Sequence, residues 1–147
     1  MLKYYDDNVQ LPASSELQLV FSVGEFLKSQ GYKIRFEISN MGQSIDLVGI
    51  KNRWITAVEA KLNNWRRALV QCRAHESVAD YIVIALAQKS VSSELDEELK
   101  ANGWGLLLYN SVKDEWVWRV KPVRNQKIWK PQRKRFVESM KKVSYVS

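Results

Sequence analysis

The chain has 147 residues, 46% apolar and 27% charged, which is the profile of one globular domain large enough to bury a core. No apolar run reaches the length of a membrane span and the first residues do not read as a signal peptide, so no membrane partner is expected. Cys72 is the only cysteine and His75 the only histidine, which excludes an internal disulfide, the usual zinc sets, histidine-based nuclease motifs and any Ser-His-Asp triad not built on His75; the lone thiol favours an intracellular, cytoplasmic setting.

In chain order, residues 1–13 read as a polar lead with Pro12 near its end. Ser14 or Ser15 then caps a helix to about Gln30, stopped by Gly31. Leu17, Val20, Phe21, Val23, Phe26 and Leu27 make its apolar arc at about 100° per residue. Glu16 falls inside that arc and Glu25 on the polar side. Glu16 has two readings: a first-turn acid favoured by the helix dipole, or a carboxylate pointing over the sheet.

Residues 32–38 alternate as a strand, with Ile34, Phe36 and Ile38 expected on one face and at least partly exposed. After a turn over residues 39–42, residues 43–50 and 53–62 read as two further strands joined by a tight connection. Asn63 or Asn64 caps a helix over about residues 65–78, with Trp65, Ala68, Leu69, Cys72 and Ala79 as its buried stripe. Residues 81–87 form a continuous apolar run, as in a buried parallel strand. Ser92 or Ser93 starts an acidic helix that Gly103 ends, and residues 104–109 are a fifth strand. Residues 116–120 read as a peripheral strand, Pro122 and Pro131 bracket an irregular segment, and Phe136, Val137, Met140 and Val143 mark a final amphipathic helix.

The order α-β-β-β-α-β-α-β combines an antiparallel hairpin with helix crossovers that require parallel neighbours, so an α/β fold with a mixed central sheet is expected. Two acids stand out within it. In the third strand Glu59 and Lys61 share a face with Ile55 and Ala57, because residues two apart point the same way. Thirteen residues before Glu59, Asp46 lies inside another apolar run. Charges on such strands are costly unless paired or holding a metal. Two carboxylates with a lysine beside them suit metal-dependent phosphodiester hydrolysis, the acids taking a hard divalent cation. Structurally, Asp46 could instead be a strand-end acid bonded to a loop, and Glu59–Lys61 an ion pair at a sheet edge.

Ser44-Ile45-Asp46 followed by Val58-Glu59-Ala60-Lys61, with Glu16 on the preceding helix and Gln71 on the next, resembles the PD-(D/E)XK nuclease superfamily over about residues 14–110. Ile45 stands where the family name has proline, and His75 where a tyrosine often follows the glutamine. The resemblance implies a single nuclease-like domain with a restriction-endonuclease-like αβββαβ core and a basic C-terminal extension over residues 111–147. It implies Mg²⁺ or Mn²⁺ held by Asp46, Glu59 and the carbonyl of Ala60, with Glu16, Asp46, Glu59, Lys61 and Gln71 as the catalytic set. DNA is the expected partner; RNA and a homodimer stay open.

The net charge of +7 is unevenly placed: residues 121–142 carry nine Lys/Arg and one acid, and the rest of the chain sums to −1. That asymmetry suggests a polyanionic partner. Lys127, Lys130, Arg133, Lys134 and Arg135 are the expected nucleic-acid contacts, with Arg66 and Arg73 on the middle helix. Arg66, Arg67 and Arg73 read first as a solvated face, with a phosphate role open, and His75 as a packing or surface residue. Trp116, Trp118 and Trp129 read as core or lid, or as stacking platforms for unpaired bases. A DNA nuclease is therefore expected, and its rival is a binding or protein-interaction module on the same fold.

Overall fold

The computed structural model describes residues 15–142 except Met41 and Lys89, so the polar lead and Val143 lie outside the described residues. Ser15 is the first cap: its Oγ accepts from the Gln18 N–H at 3.1 Å and starts α1 (Glu16–Ser29). Leu19, Val20, Val23, Gly24 and Leu27 face inward, whereas Leu17, expected in the apolar arc, is exposed. On the helical wheel Leu19 lies nearer the Val23–Leu27 line than Leu17 does. A Cβ on Gly24 would meet the Phe36 ring at 3.1 Å, so glycine there lets α1 settle onto the sheet.

Three strands follow as an antiparallel meander: β1 (Lys33–Asn40), β2 (Gln43–Lys51) and β3 (Trp54–Lys61). Asn64 caps α2 (Trp65–Ala74) by accepting from the Arg67 N–H, and the helix crosses to β4 (Tyr81–Leu86), parallel to β3. Ser92 caps α3 (Ser93–Asn102), which leads to β5 (Gly105–Asn110), parallel to β4. β6 (Glu115–Val120) returns antiparallel at the edge, and α4 (Lys130–Met140) closes the described chain. Among the described residues this is an α/β fold: a mixed sheet of six strands in sequential order, flanked by four helices.

Two cores lie against the sheet. Leu19, Val20, Val23 and Leu27 of α1 pack on Ile34, Leu47, Val58 and Val83, and Trp116 of β6 joins them. On the other side Trp65, Ala68 and Cys72 of α2, Leu95 and Leu99 of α3, and Phe136 and Met140 of α4 cover Val48, Ala57, Ile82 and Ile84. Trp116 and Trp118 donate their indole N–H groups to Ser22 and Gln30, tying β6 to α1, while Trp129 is 53% exposed.

The structure corrects several expectations. α2 ends at Ala74 rather than near Val78, and Ala79 is buried in the connection that follows. α4 begins before Pro131, which occupies its first turn, where a missing N–H costs nothing. Ile34 and Ile38 are buried, not partly exposed, and they belong to opposite cores. Glu37 between them has φ 51°, a left-handed backbone that breaks the strand's alternation.

Candidate functional site

The β2–β3 register runs from Lys51↔Trp54 to Leu47↔Val58. Past that point side chains take over from the backbone ladder. The Asp46 N–H donates to Glu59 Oε2 at 3.1 Å, and the Ala60 N–H donates to Asp46 Oδ2 at 3.0 Å. Each carboxylate thus closes on the other strand, at the C-terminal end of β3. Ligand sites of open α/β sheets favour such strand ends. The swap of faces at Glu37 recurs across the register, since Leu47 packs with the α1 side and Ile45 with the α2–α4 side. Asp46 stands between them, at the kink.

Glu59 is 0% exposed and so is His75, whose Nε2 lies 3.1 Å from Glu59 Oε2. With Glu59 ionised, Nε2 is the donor in this contact. Among the described residues Glu59 Oε1, Gln71 Oε1 and His75 Nδ1 are all buried without a hydrogen-bond partner. Burial pushes the Asp46 carboxyl up to about 6, and the neighbouring Glu59 charge adds to the shift; the Ala60 N–H and Lys61 act in the opposite direction. Burial likewise drives the Cys72 thiol well above its ordinary value, so it is an inert core residue.

Lys61, 7% exposed, places Nζ 4.0 Å from Glu16 Oε1. Glu16 Oε2 also accepts the Leu62 N–H at 3.2 Å. Glu16 therefore reaches over the end of β3, whereas Glu25 pairs with Lys28 on the outer side of α1. Asp46 and Gln71 line a cleft of about 740 Å³ together with Ser44, Asn64, Arg66 and Arg67. Glu16, Asp46, Glu59, Lys61 and Gln71 thus gather around one end of β3.

No group of three or more His, Cys, Asp or Glu side chains is set for a metal among the described residues. What the site offers a cation is oxygen: two carboxylates, one with its Oε1 bare and buried on Glu59, and the buried Gln71 Oε1. That donor set fits Mg²⁺ or Mn²⁺, which take oxygen ligands and keep several waters. Ala60 meets Asp46 through its N–H.

The basic residues divide. Arg66 stacks on Trp65 at 4.3 Å and pairs with Glu94 at 2.7 Å, at the cleft's rim. Arg73 lies over Trp104, bonds Asn102 and approaches Glu76, on the face toward α3; Arg67 lines the cleft instead. Lys127 pairs with Glu76 at 3.3 Å. Arg133, expected as a free contact, is held by buried Asp80 at 2.9 Å and the Val78 carbonyl at 3.1 Å. Lys130, Lys134 and Arg135 are exposed on α4. His75 is the residue that sequence reasoning undervalued. Its signal was its place four residues after Gln71, one turn along the same helical face.

No family model matches the sequence, and no curated protein matches it. Two solved structures are similar. The SPO1766 protein of unknown function from Silicibacter pomeroyi is 18% identical with a TM-score of 0.65, covering 90% of this chain and 87% of its own. AF1548, a protein of unknown function, is 16% identical with a TM-score of 0.55, covering 65% of this chain and 59% of its own. The chain is similar to both in fold.

Proposed function

We propose that the chain is a metal-dependent nuclease of the PD-(D/E)XK type, hydrolysing phosphodiester bonds in DNA. Its restriction-endonuclease-like core would be α1 through β4, with the basic segment after residue 110 as an extension. One observation carries this reading. Two acids from neighbouring strands meet where the strands part, with Glu59 Oε1 left buried and bare and Asp46 lining a cleft together with Arg66 and Arg67.

Asp46, Glu59 and the carbonyl of Ala60 would hold Mg²⁺ or Mn²⁺. Bound there, the ion supplies Lewis acidity toward water and the phosphoryl oxygens. Lys61 offsets the negative charge that builds on the phosphate and can take or give a proton at Nζ. Glu16 holds Lys61 over the strand end. Gln71 orients a water through its free carbonyl oxygen, or a phosphate through its amide N–H groups. Arg66 and Arg67 neutralise flanking phosphates at the cleft's mouth.

The rival reading, a binding module that does not cut, is favoured by the amides that already occupy Asp46 Oδ2 and Glu59 Oε2. Incubation with Mg²⁺ or Mn²⁺ and duplex, single-stranded, flapped and four-way DNA, with RNA counterparts, separates the two. A nuclease cuts at least one substrate, and Asp46→Ala and Lys61→Ala each lose roughly a hundredfold or more. Calorimetry with Mn²⁺ should show binding by Lys61→Ala and none by Asp46→Ala. Tight binding of nucleic acid with no cleavage across the panel would establish the binding module.

A further inference from the structure

Trp54 begins β3 and Glu59 lies five residues further along it, so a site at Trp54 is about 17 Å from the acid pair at roughly 3.3 Å per residue. A cleft of about 480 Å³ lies at this far end, lined by Arg53, Trp54, Asp80, Arg124, Lys130 and Arg133. The Arg124 guanidinium carbon is 4.2 Å from the Trp54 ring centroid and that of Arg53 is 4.9 Å. Asp80, the cleft's acid, is already matched: Arg133 holds it at 2.9 Å and the Ile55 N–H donates to it at 2.8 Å. Arg53, Arg124 and Lys130 remain, all exposed and without an ion pair among the described residues.

We propose that this cleft is an anchoring site for the phosphodiester backbone of nucleic acid, separate from the acid pair. Two guanidinium groups drawn to one ring repel each other, and no carboxylate of the chain's described residues balances them. Cation–π contact with Trp54 holds each guanidinium group at the ring, and no carboxylate among the described residues occupies its N–H groups. A guanidinium edge matches two oxygens of one phosphate. Lys130 lines the cleft and exposed Lys134 follows it one turn along α4, so the site suits a repeating anion rather than a single one. Arg53 sits in the turn before β3 and Arg124 in the segment after β6, so the site exists only once the fold brings them to Trp54.

The proposal does not rest on the nuclease reading, because it is read without divalent ions. Fluorescence anisotropy of a labelled duplex in EDTA, at several salt concentrations, is the measurement. Arg53→Ala/Arg124→Ala should bind roughly tenfold more weakly or worse. Its log–log salt slope should flatten by about 1.8, which is about 0.9 for each phosphate left without its arginine. Arg53→Lys/Arg124→Lys should keep the slope but lose part of the affinity, since it keeps the charges and not the forks. Both residues are exposed, and Arg124→Gln alone, with about half the slope change, provides a milder variant should the double one fold poorly. Unchanged affinity and slope in the folded variants would overturn the proposal. So would displacement of the duplex by polyglutamate at equal charge, which would assign the cleft to an acidic peptide.

Discussion

His75 and Glu59 have no access to solvent, so the 3.1 Å hydrogen bond between them sets where the Glu59 carboxylate points. Replacing His75 by Ala removes one donor from a buried charge, at a cost of roughly 2 kcal/mol. It should also weaken Mn²⁺ binding by about tenfold, the usual effect of losing a group that orients a ligand. His75→Gln, which keeps a donor, should recover much of both. Calorimetry and thermal melting check this; an affinity that His75→Ala leaves intact would mean the bond does not position Glu59. Asp46 yields a pH prediction. Its folded value of about 6 lies above the ordinary 3.8, so its contribution to stability is fully present below 3.8 and is lost as pH rises through about 6. Without divalent ions Asp46→Asn should match the wild type in acid and exceed it above that range. The gain should be roughly 1 kcal/mol, discounted for Asp46's partial exposure, or about 4 °C in Tm. Melting curves across pH test the sign, and an excess only in acid would show that the carboxyl is not burdened by burial and Glu59.

α4 and the segment before it act as a strap under the sheet. Asn125 donates to the Glu76 and Ala79 carbonyls, and the Trp129 N–H to that of Ser77. Gln132 donates to Asn40, which in turn donates to the last carbonyl of α2. Arg133 is the ionic part of this strap, since Asp80 is 2% exposed and uses the same oxygen for the Ile55 N–H. Arg133→Ala should cost roughly 3 kcal/mol, because it strips a buried carboxylate of its partner. Lys134→Ala, one residue on and exposed, should cost less than about 0.5 kcal/mol. Urea unfolding of the two variants decides it, and equal stability would show that Arg133 is a surface cation after all.

Across the whole molecule the charge is segregated: residues 121–142 hold an excess of eight positive charges. Part of that excess is neutralised within the fold, by Arg133 on Asp80 and Lys127 on Glu76. Lys134 and Arg135 remain exposed. Lys134→Ala/Arg135→Ala should leave the melting temperature almost unchanged. It should weaken binding to many DNA sequences alike and flatten the salt slope by up to about 1.8. Anisotropy titrations at several salt concentrations check this; an unchanged slope would mean that this face does not touch the backbone and would favour a protein partner.

Much of the architecture was legible because it is written locally. Ser15, Asn64 and Ser92 cap their helices through groups three residues on, and Gly31 and Gly103 take the positive φ that ends a helix. Such contacts need no distant partner. The period of two placed Glu59 and Lys61 on one face, and Asp46 on the neighbouring strand could be noticed as an acid among apolar residues. What the tertiary structure alone decided is which of these charges meet. The left-handed Glu37 reverses the faces of β1, so Ile34 and Ile38 enter opposite cores. His75 looked dispensable until the end of α2 carried it onto Glu59, and Arg133 looked free until the strap brought it to Asp80. Arg124 meets Trp54 from 70 positions away in the chain. Composition and periodicity record which side chains are charged or apolar, but pairing and burial depend on distances that only the closed sheet and its covering helices create.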